Sequence, residues 1–187
     1  MVSVAAIFTS PVKSLSLSQQ TTVAVGISGI EDDRRFHLID AEGGLLTQRQ
    51  FGRLALVQAQ YLGESDYLTL RFPDGRVLEG LPELGGSVAT TMWGRQVSGR
   101  EVTGMWSEAL SSHCSSPVRL VKTDDPGACF DEYPVSLLSQ ASVDGLEGRV
   151  NGAPKFDGRR FRPSFLFEGC SPHEEDTWLG GVVRIGP

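Results

Sequence analysis

Short apolar runs separated by turn-forming residues fill the first eighty positions, a pattern that predicts strands and hairpins rather than helices. Runs at residues 2–8 and 21–25 come before Arg35-Phe36-His37-Leu38-Ile39-Asp40, which alternates and then meets Ala41-Glu42-Gly43-Gly44. An acidic residue and two glycines suit a hairpin turn, from which Leu45-Leu46-Thr47 returns. Residues 54–62 and 67–72 continue the series, punctuated by Gly63-Glu64-Ser65-Asp66 and Pro73-Asp74-Gly75. The expected architecture is an antiparallel meander that closes on itself.

Prolines and glycines gather without an apolar period in Gly80-Leu81-Pro82-Glu83-Leu84-Gly85-Gly86, which marks the expected seam between two modules. Beyond it, residues 88–97 predict a strand pair around Trp93-Gly94-Arg95. Met105, Trp106, Ala109 and Leu110 follow at i, i+1, i+4, i+5 spacing and predict a short amphipathic helix. Residues 118–121 read as a strand. Val143, Leu146 and Val150 predict a second short helix, with a serine of Ser139-Gln140-Ala141-Ser142 as its cap.

Composition narrows the function classes. The chain has 187 residues, 40% apolar and 21% charged, which is ordinary globular usage. Its net charge of -6 and pI near 5.1 argue against general binding to a nucleic-acid backbone, which needs a basic face, and leave room for a local basic pocket around one small anion. No segment reaches the roughly 20 apolar residues of a membrane span. Residues 1–8 lack the features of a secretory signal, so a soluble cytoplasmic chain without a membrane partner is expected. Cys114, Cys129 and Cys170 are odd in number and widely spaced, which points to reduced, mostly buried thiols rather than a disulfide framework or a zinc site.

Four motifs carry the functional signal. Ser10-Pro11-Val12-Lys13-Ser14 comes first, and Asp33-Arg34-Arg35-Phe36 with Leu46-Thr47-Gln48-Arg49-Gln50 second. Phe130-Asp131-Glu132-Tyr133-Pro134 with Leu138-Ser139-Gln140-Ala141-Ser142 is third. The fourth is Phe161-Arg162-Pro163-Ser164, then Glu168-Gly169-Cys170 and Glu174-Glu175-Asp176-Thr177-Trp178. In order, they resemble Y-P-V-K-S, D-R-x-W…T-x-R-Q, D-x-x-P…L-x-x-A-S and F-R-P-N…G-C…E-D-x-W of the MOSC family, the C-terminal module of molybdenum cofactor sulfurases, together with the β-barrel domain that precedes many MOSC domains. The amidoxime-reducing component family is similar to both parts.

The resemblance implies a molybdenum cofactor, a pterin dithiolene bearing a phosphate. It assigns Lys13, Ser14 and Arg34 to that phosphate, which suits a compact ammonium and a forked guanidinium. It also brings Arg162 to the cofactor. Ser164 stands where the family has Asn, so its hydroxyl replaces an amide and reaches through water. Tyr133 is carried over as a contact; Glu132 is not, because an acid beside an anion is unfavourable. At family level the resemblance also carries molybdenum ion binding and pyridoxal phosphate binding.

Read alone, these residues have plainer explanations. Arg34 and Arg35 beside Glu31, Asp32 and Asp33 suit surface ion pairing, Lys13 suits a solvated strand end, and Arg162 belongs to a basic run with Arg159 and Arg160. Trp178 is expected in the core and Asp176 beside a base or on backbone amides. His37 is expected at or near the surface. His113-Cys114 lacks an orienting third group, His173 and Cys170 make no metal site, and Cys170 reads as structural.

The fold class expected is mostly β: an N-terminal β-barrel-like domain at residues 1–80, then a truncated MOSC β-barrel at 85–187 with one or two short helices. The site is expected where these meet. By resemblance the function is reduction of an N-oxygenated small molecule with electrons from a partner protein, or carriage of cofactor-bound sulfur. The alternative is a non-catalytic cofactor-, anion- or partner-binding β-barrel. The family's reactive cysteine falls beyond Pro187, so the chain is expected to be part of a longer protein.

Overall fold

The computed structural model describes residues 1–147 and 156–186. Its strands, in chain order, are β1 (Ser3–Thr9), β2 (Ser18–Gln20), β3 (Val25–Gly26), β4 (Gly29–Ile30), β5 (Phe36–Ile39), β6 (Leu45–Leu46), β7 (Gln58–Leu62), β8 (Tyr67–Arg71), β9 (Val77–Gly80), β10 (Leu84–Met92) and β11 (Arg95–Val102). Helix α1 (Met105–Cys114), β12 (Arg119–Thr123), β13 (Leu137–Ser139), α2 (Gln140–Glu147) and β14 (Phe165–Glu168) complete the order. The chain is mostly β, as the apolar pattern requires. It divides into two compact units, one of residues Met1–Phe8, Gln19–Thr22 and Val135–Pro187, the other of Thr9–Ser18 and Val23–Pro134.

The second unit holds a five-stranded sheet in the order β10-β11-β12-β5-β6, a three-stranded sheet β7-β8-β9 and the β3-β4 pair. This departs from a single closing meander, and no closed sheet forms among the described residues. β5 pairs on one side with its hairpin partner β6 and on the other with the distant β12, so no edge of β5 remains for β7. The expected seam at 80–86 lies inside this unit, where it covers the end of β9, the link and the start of β10. Residues 54–62 are also only partly strand. Gly52–Leu56 winds into a 3-10 turn that puts Leu54 into the core, and extended chain starts at Gln58.

The core of this unit gathers Phe36, Leu38, Leu68, Leu70, Val102 and Leu120 with Trp106 and Leu110 of α1. Trp106, Leu110 and Cys114 recur every four residues on the buried face of α1. Each fully buried large apolar side chain contributes about 1.5–3 kcal/mol. His37 lies on β5, and all four residues of β5 are buried. The alternating pattern predicted one wet face, but an interior strand covered on both sides has none, so His37 is fully buried instead of surface-exposed.

The β10–β11 hairpin turns through Trp93 and Gly94, both with left-handed backbone, at φ 51° and 82°. Positive φ at both central positions suits the right-handed strand twist and selects Asn, Asp or Gly. A bulky residue there costs roughly 1–2 kcal/mol.

The first unit contains the sheet β13-β14-β1-β2, in which β13 and β14 run parallel and β14 and β1 antiparallel. The predicted cap of α2 is present, since the Ser142 amide donates to Ser139 Oγ at 3.0 Å. Val150, assigned to the same helix, lies outside the described residues. Trp178 is half-buried and meets the edge of Phe167 at 5.6 Å, so it rests on the sheet without entering a core. Asp176 pairs with His173 at 3.3 Å.

Candidate functional site

In the second unit, residues 10–13 and 33–36 lie side by side. The Arg34 amide donates to Ser10 O at 3.0 Å, Phe36 N to Pro11 O at 3.0 Å, and Lys13 N to Phe36 O at 2.7 Å. These backbone bonds carry Lys13, Ser14 and Arg34 into one region although about twenty residues separate the two segments. Left-handed φ at Asp32 (61°) and Arg34 (50°) brackets Asp33 and turns its carboxylate inward. Its Oδ1 accepts from Ser10 N at 2.6 Å and its Oδ2 pairs with Arg34. Both residues are at most 9% exposed, so the solvated ion pair expected for Arg34 is an internal one.

Lys13 is only 5% exposed, in contrast to a solvated strand end. Its ammonium donates to Cys129 O at 2.9 Å and Asp131 Oδ1 at 2.8 Å. Both acceptors come from the loop ahead of Pro134, and that loop is fixed by close packing. A Cβ on Gly29, where φ is 101°, would stand 2.8 Å from Pro134 Cβ, so only glycine admits the loop so near. Arg34 stacks over the Phe130 ring of the same loop at 5.5 Å. Ser14, with φ 74° and 6% exposure, has no side-chain hydrogen-bond partner among the described residues.

Burial sets the proton chemistry around these cations. It lowers the His37 pKa to about 4, helped by the charge of Lys13, and His37 Nε2 lies 3.0 Å from Thr90 Oγ1. Burial likewise pushes the Cys129 thiol up to about 12 and outweighs the opposing pull of Lys13 and Arg34. Cys129 is therefore a protonated core thiol at neutral pH, and burial also raises Cys114. Burial would raise Asp131, but its bonds to Lys13 and Trp93 and the nearby Arg34 hold it below the usual carboxylate range.

The remaining expected residues fall elsewhere. Tyr133 is 72% exposed on the same loop of the second unit. Arg162 and Ser164 belong to the first unit. Arg162 takes left-handed backbone (φ 53°) just after the 3-10 turn Gly158–Phe161. Ser164 is buried, and its hydroxyl accepts from Ser136 N at 3.2 Å and lies 3.5 Å from Ser136 Oγ. That contact ties β14 to the chain ahead of β13.

Sequence reasoning missed a set of residues beside the Lys13 region. An open cleft of about 610 Å³ is lined by Arg49, Trp93, Arg95, Asp131 and Glu132. Arg49 lies over the Trp93 ring at 5.4 Å. Trp93 Nε1 donates to the same Asp131 oxygen that Lys13 holds, at 2.8 Å, and Arg95 donates to Phe130 O and Asp131 O. A tryptophan at a turn position that selects Asn or Gly was the available signal. No cluster of three or more His, Cys, Asp or Glu side chains suited to a metal ion occurs among the described residues, and none of their helices is long and apolar enough to cross a membrane.

Fold and site together define a mostly-β protein with buried cations gathered beside an open, arginine-bearing cleft. The chain belongs to the family described as the MOSC N-terminal beta barrel domain, whose profile matches residues 1–117. It is 28% identical to mitochondrial amidoxime-reducing component 1 of Xenopus laevis over 94% of its length, and 28% identical to that of Homo sapiens over the same share. The match covers 58% of each of those relatives, so the chain spans less than two thirds of their length. A solution structure of a Bordetella bronchiseptica protein shares a more distant likeness: 20% identity and a TM-score of 0.46 over 66% of this chain and 92% of that one.

Proposed function

We propose that this chain binds a molybdenum cofactor and serves in a reductase of N-oxygenated small molecules. The observation that carries the reading is the gathering of Lys13, Ser14 and Arg34 in a rigid, largely dry setting. These groups suit a phosphate. The Lys13 ammonium has three donors and two protein acceptors, Arg34 presents a planar fork, and the Ser14 hydroxyl has no protein partner among the described residues. Left-handed backbone at Ser14 and Arg34 adds support, because strained residues cluster where ligands are held.

In this reading Lys13, Ser14 and Arg34 hold the phosphate. Tyr133, Arg162 and Ser164 are the further contacts proposed from the family motifs. When bound, the cofactor would supply the oxygen-atom and electron chemistry. This chain's own residues anchor it, exclude water around its phosphate and keep compensating charge close by. His37 stays neutral at physiological pH and adds no competing charge beside Lys13. A cytoplasmic location and an electron-transfer partner complete the proposal.

A second reading, cofactor binding without turnover, has one observation in its favour: Cys129, a thiol that feels the charges of Lys13 and Arg34, is held protonated by burial. Pterin and molybdenum content should be measured on protein from a cofactor-producing host, together with reduction of an N-hydroxylated substrate by a suitable electron donor. Wild type should retain pterin, and Lys13→Ala with Arg34→Ala should lose most of it. Retention by the double variant would refute the anchoring role, whereas pterin content without reduction would favour the second reading.

A further inference from the structure

We propose that the cleft lined by Arg49, Trp93, Arg95, Asp131 and Glu132 binds a flat aromatic ring carrying an oxyanion such as a carboxylate. Calling that occupant the substrate rests on the function proposed above, whereas the binding site itself does not.

Trp93 is half exposed and stands in a two-residue turn whose left-handed backbone disfavours a large side chain. Folding alone would choose Asn there, next to Gly94. Trp93 is nevertheless held in one orientation, its Nε1 fixed on Asp131 and one face under the Arg49 guanidinium. A rigid, exposed indole kept at a cost to the turn is what stacking on a planar ligand requires.

The charges select the ligand's sign. Arg49 and Arg95 have no carboxylate partner among the described residues: Arg49 meets only the indole and Arg95 only carbonyl oxygens. Asp131 is already answered by Lys13 and Trp93, which leaves Glu132 as the one acid facing two guanidinium groups. A chain of net charge -6 thus keeps a local positive excess around an aromatic platform. Guanidinium forks match an oxyanion and stack on aromatic faces, so both arginines serve such a ligand at once. At about 610 Å³ the cleft has the size of a small-molecule site.

The test is titration of the full chain with 2-naphthoate, with octanoate as the same charge without a ring and 2-naphthylmethylamine as the same ring with opposite charge. Calorimetry should show 2-naphthoate binding at least tenfold tighter than either control. Trp93→Asn should weaken it at least tenfold while raising the melting temperature, because Asn suits the turn. Arg49→Gln, whose side chain gives up no hydrogen bond to a described residue, should weaken it several-fold with the melting temperature unchanged. Equal affinity for the three probes, or wild-type affinity in either variant, overturns the proposal. Pterin content of the same preparations separates the two ideas. Protein that retains pterin but ignores naphthoate defeats the aromatic site alone. Protein that binds naphthoate but never pterin defeats the proposed function and leaves the site standing.

Discussion

Asp33 and Asp131 each neutralise one cation of the second unit, but they do so in opposite surroundings. The Asp33 side chain is fully buried, and it accepts from Ser10 N as well as pairing with Arg34. The Asp131 side chain is 69% exposed, although the lysine it holds is 6% exposed. Water can replace one carboxylate and not the other, so Asp33 belongs to the framework and holds Arg34 in place, whereas Asp131 is a stopper that an incoming anion can displace. The exposure of the acid, more than that of the base, separates a structural ion pair from an available one.

The largest consequence should follow from breaking the buried side. Asp33→Ala leaves a buried guanidinium without its carboxylate and Ser10 N without an acceptor, and is expected to cost about 3–5 kcal/mol. Urea unfolding of the variant reads this directly. A loss below about 1 kcal/mol would mean that water reaches the pair and would erase the contrast with Asp131.

The acid response sharpens the same contrast, because His37 is buried near Lys13 with no acidic partner among the described residues. Its folded pKa of about 4 lies below the ordinary 6.5, so between these values the unfolded chain binds a proton that the native chain refuses. The His37 contribution should therefore lower stability as pH drops from about 6.5 to 4, by roughly 3 kcal/mol in total, and add no further loss below that. His37→Gln, which can keep a contact with Thr90, should flatten that slope. A wild-type melting temperature that is constant from pH 6.5 to 4.5 would show that His37 is hydrated in solution.

Much of the Lys13–Arg34 region was legible in the sequence because its chemistry is local: a short Pro-Val-Lys-Ser run and an Asp-Arg pair suffice to suggest an anion. Inwardness was not legible. The acidic run Glu31–Asp33 reads as solvated, and only the left-handed turns at Asp32 and Arg34 rotate Asp33 into the interior. His37 was misplaced for a similar reason, since alternation reports one wet face only when the strand has one, and β5 is covered on both. Composition at residues 80–86 could not distinguish a linker between domains from a link between two sheets of one unit. The cleft escaped altogether, since Arg49, Trp93 and Asp131 stand about forty residues apart and converge through long-range pairing of β11 with β12 and β12 with β5.

The smallest expected effect on stability tests the exposed half of the comparison. Asp131→Asn removes a charge that water already solvates, and an amide oxygen can still accept from Lys13 and Trp93, so the cost at neutral pH should stay within about 1 kcal/mol. Its signature lies in two other measurements. The folded Asp131 carboxyl titrates below its ordinary range, so its contribution is present above the unfolded carboxylate value near 4 and is lost as pH falls through the lower folded value. The variant should lack that acid component while keeping the His37 slope at higher pH. A neutral amide competes less well than a carboxylate for the Lys13 ammonium, so inorganic phosphate should raise the melting temperature of Asp131→Asn more than that of wild type. If phosphate stabilises both equally, or if the substitution costs as much as Asp33→Ala, then Asp131 is framework too and Lys13 is not open to an anion from that side.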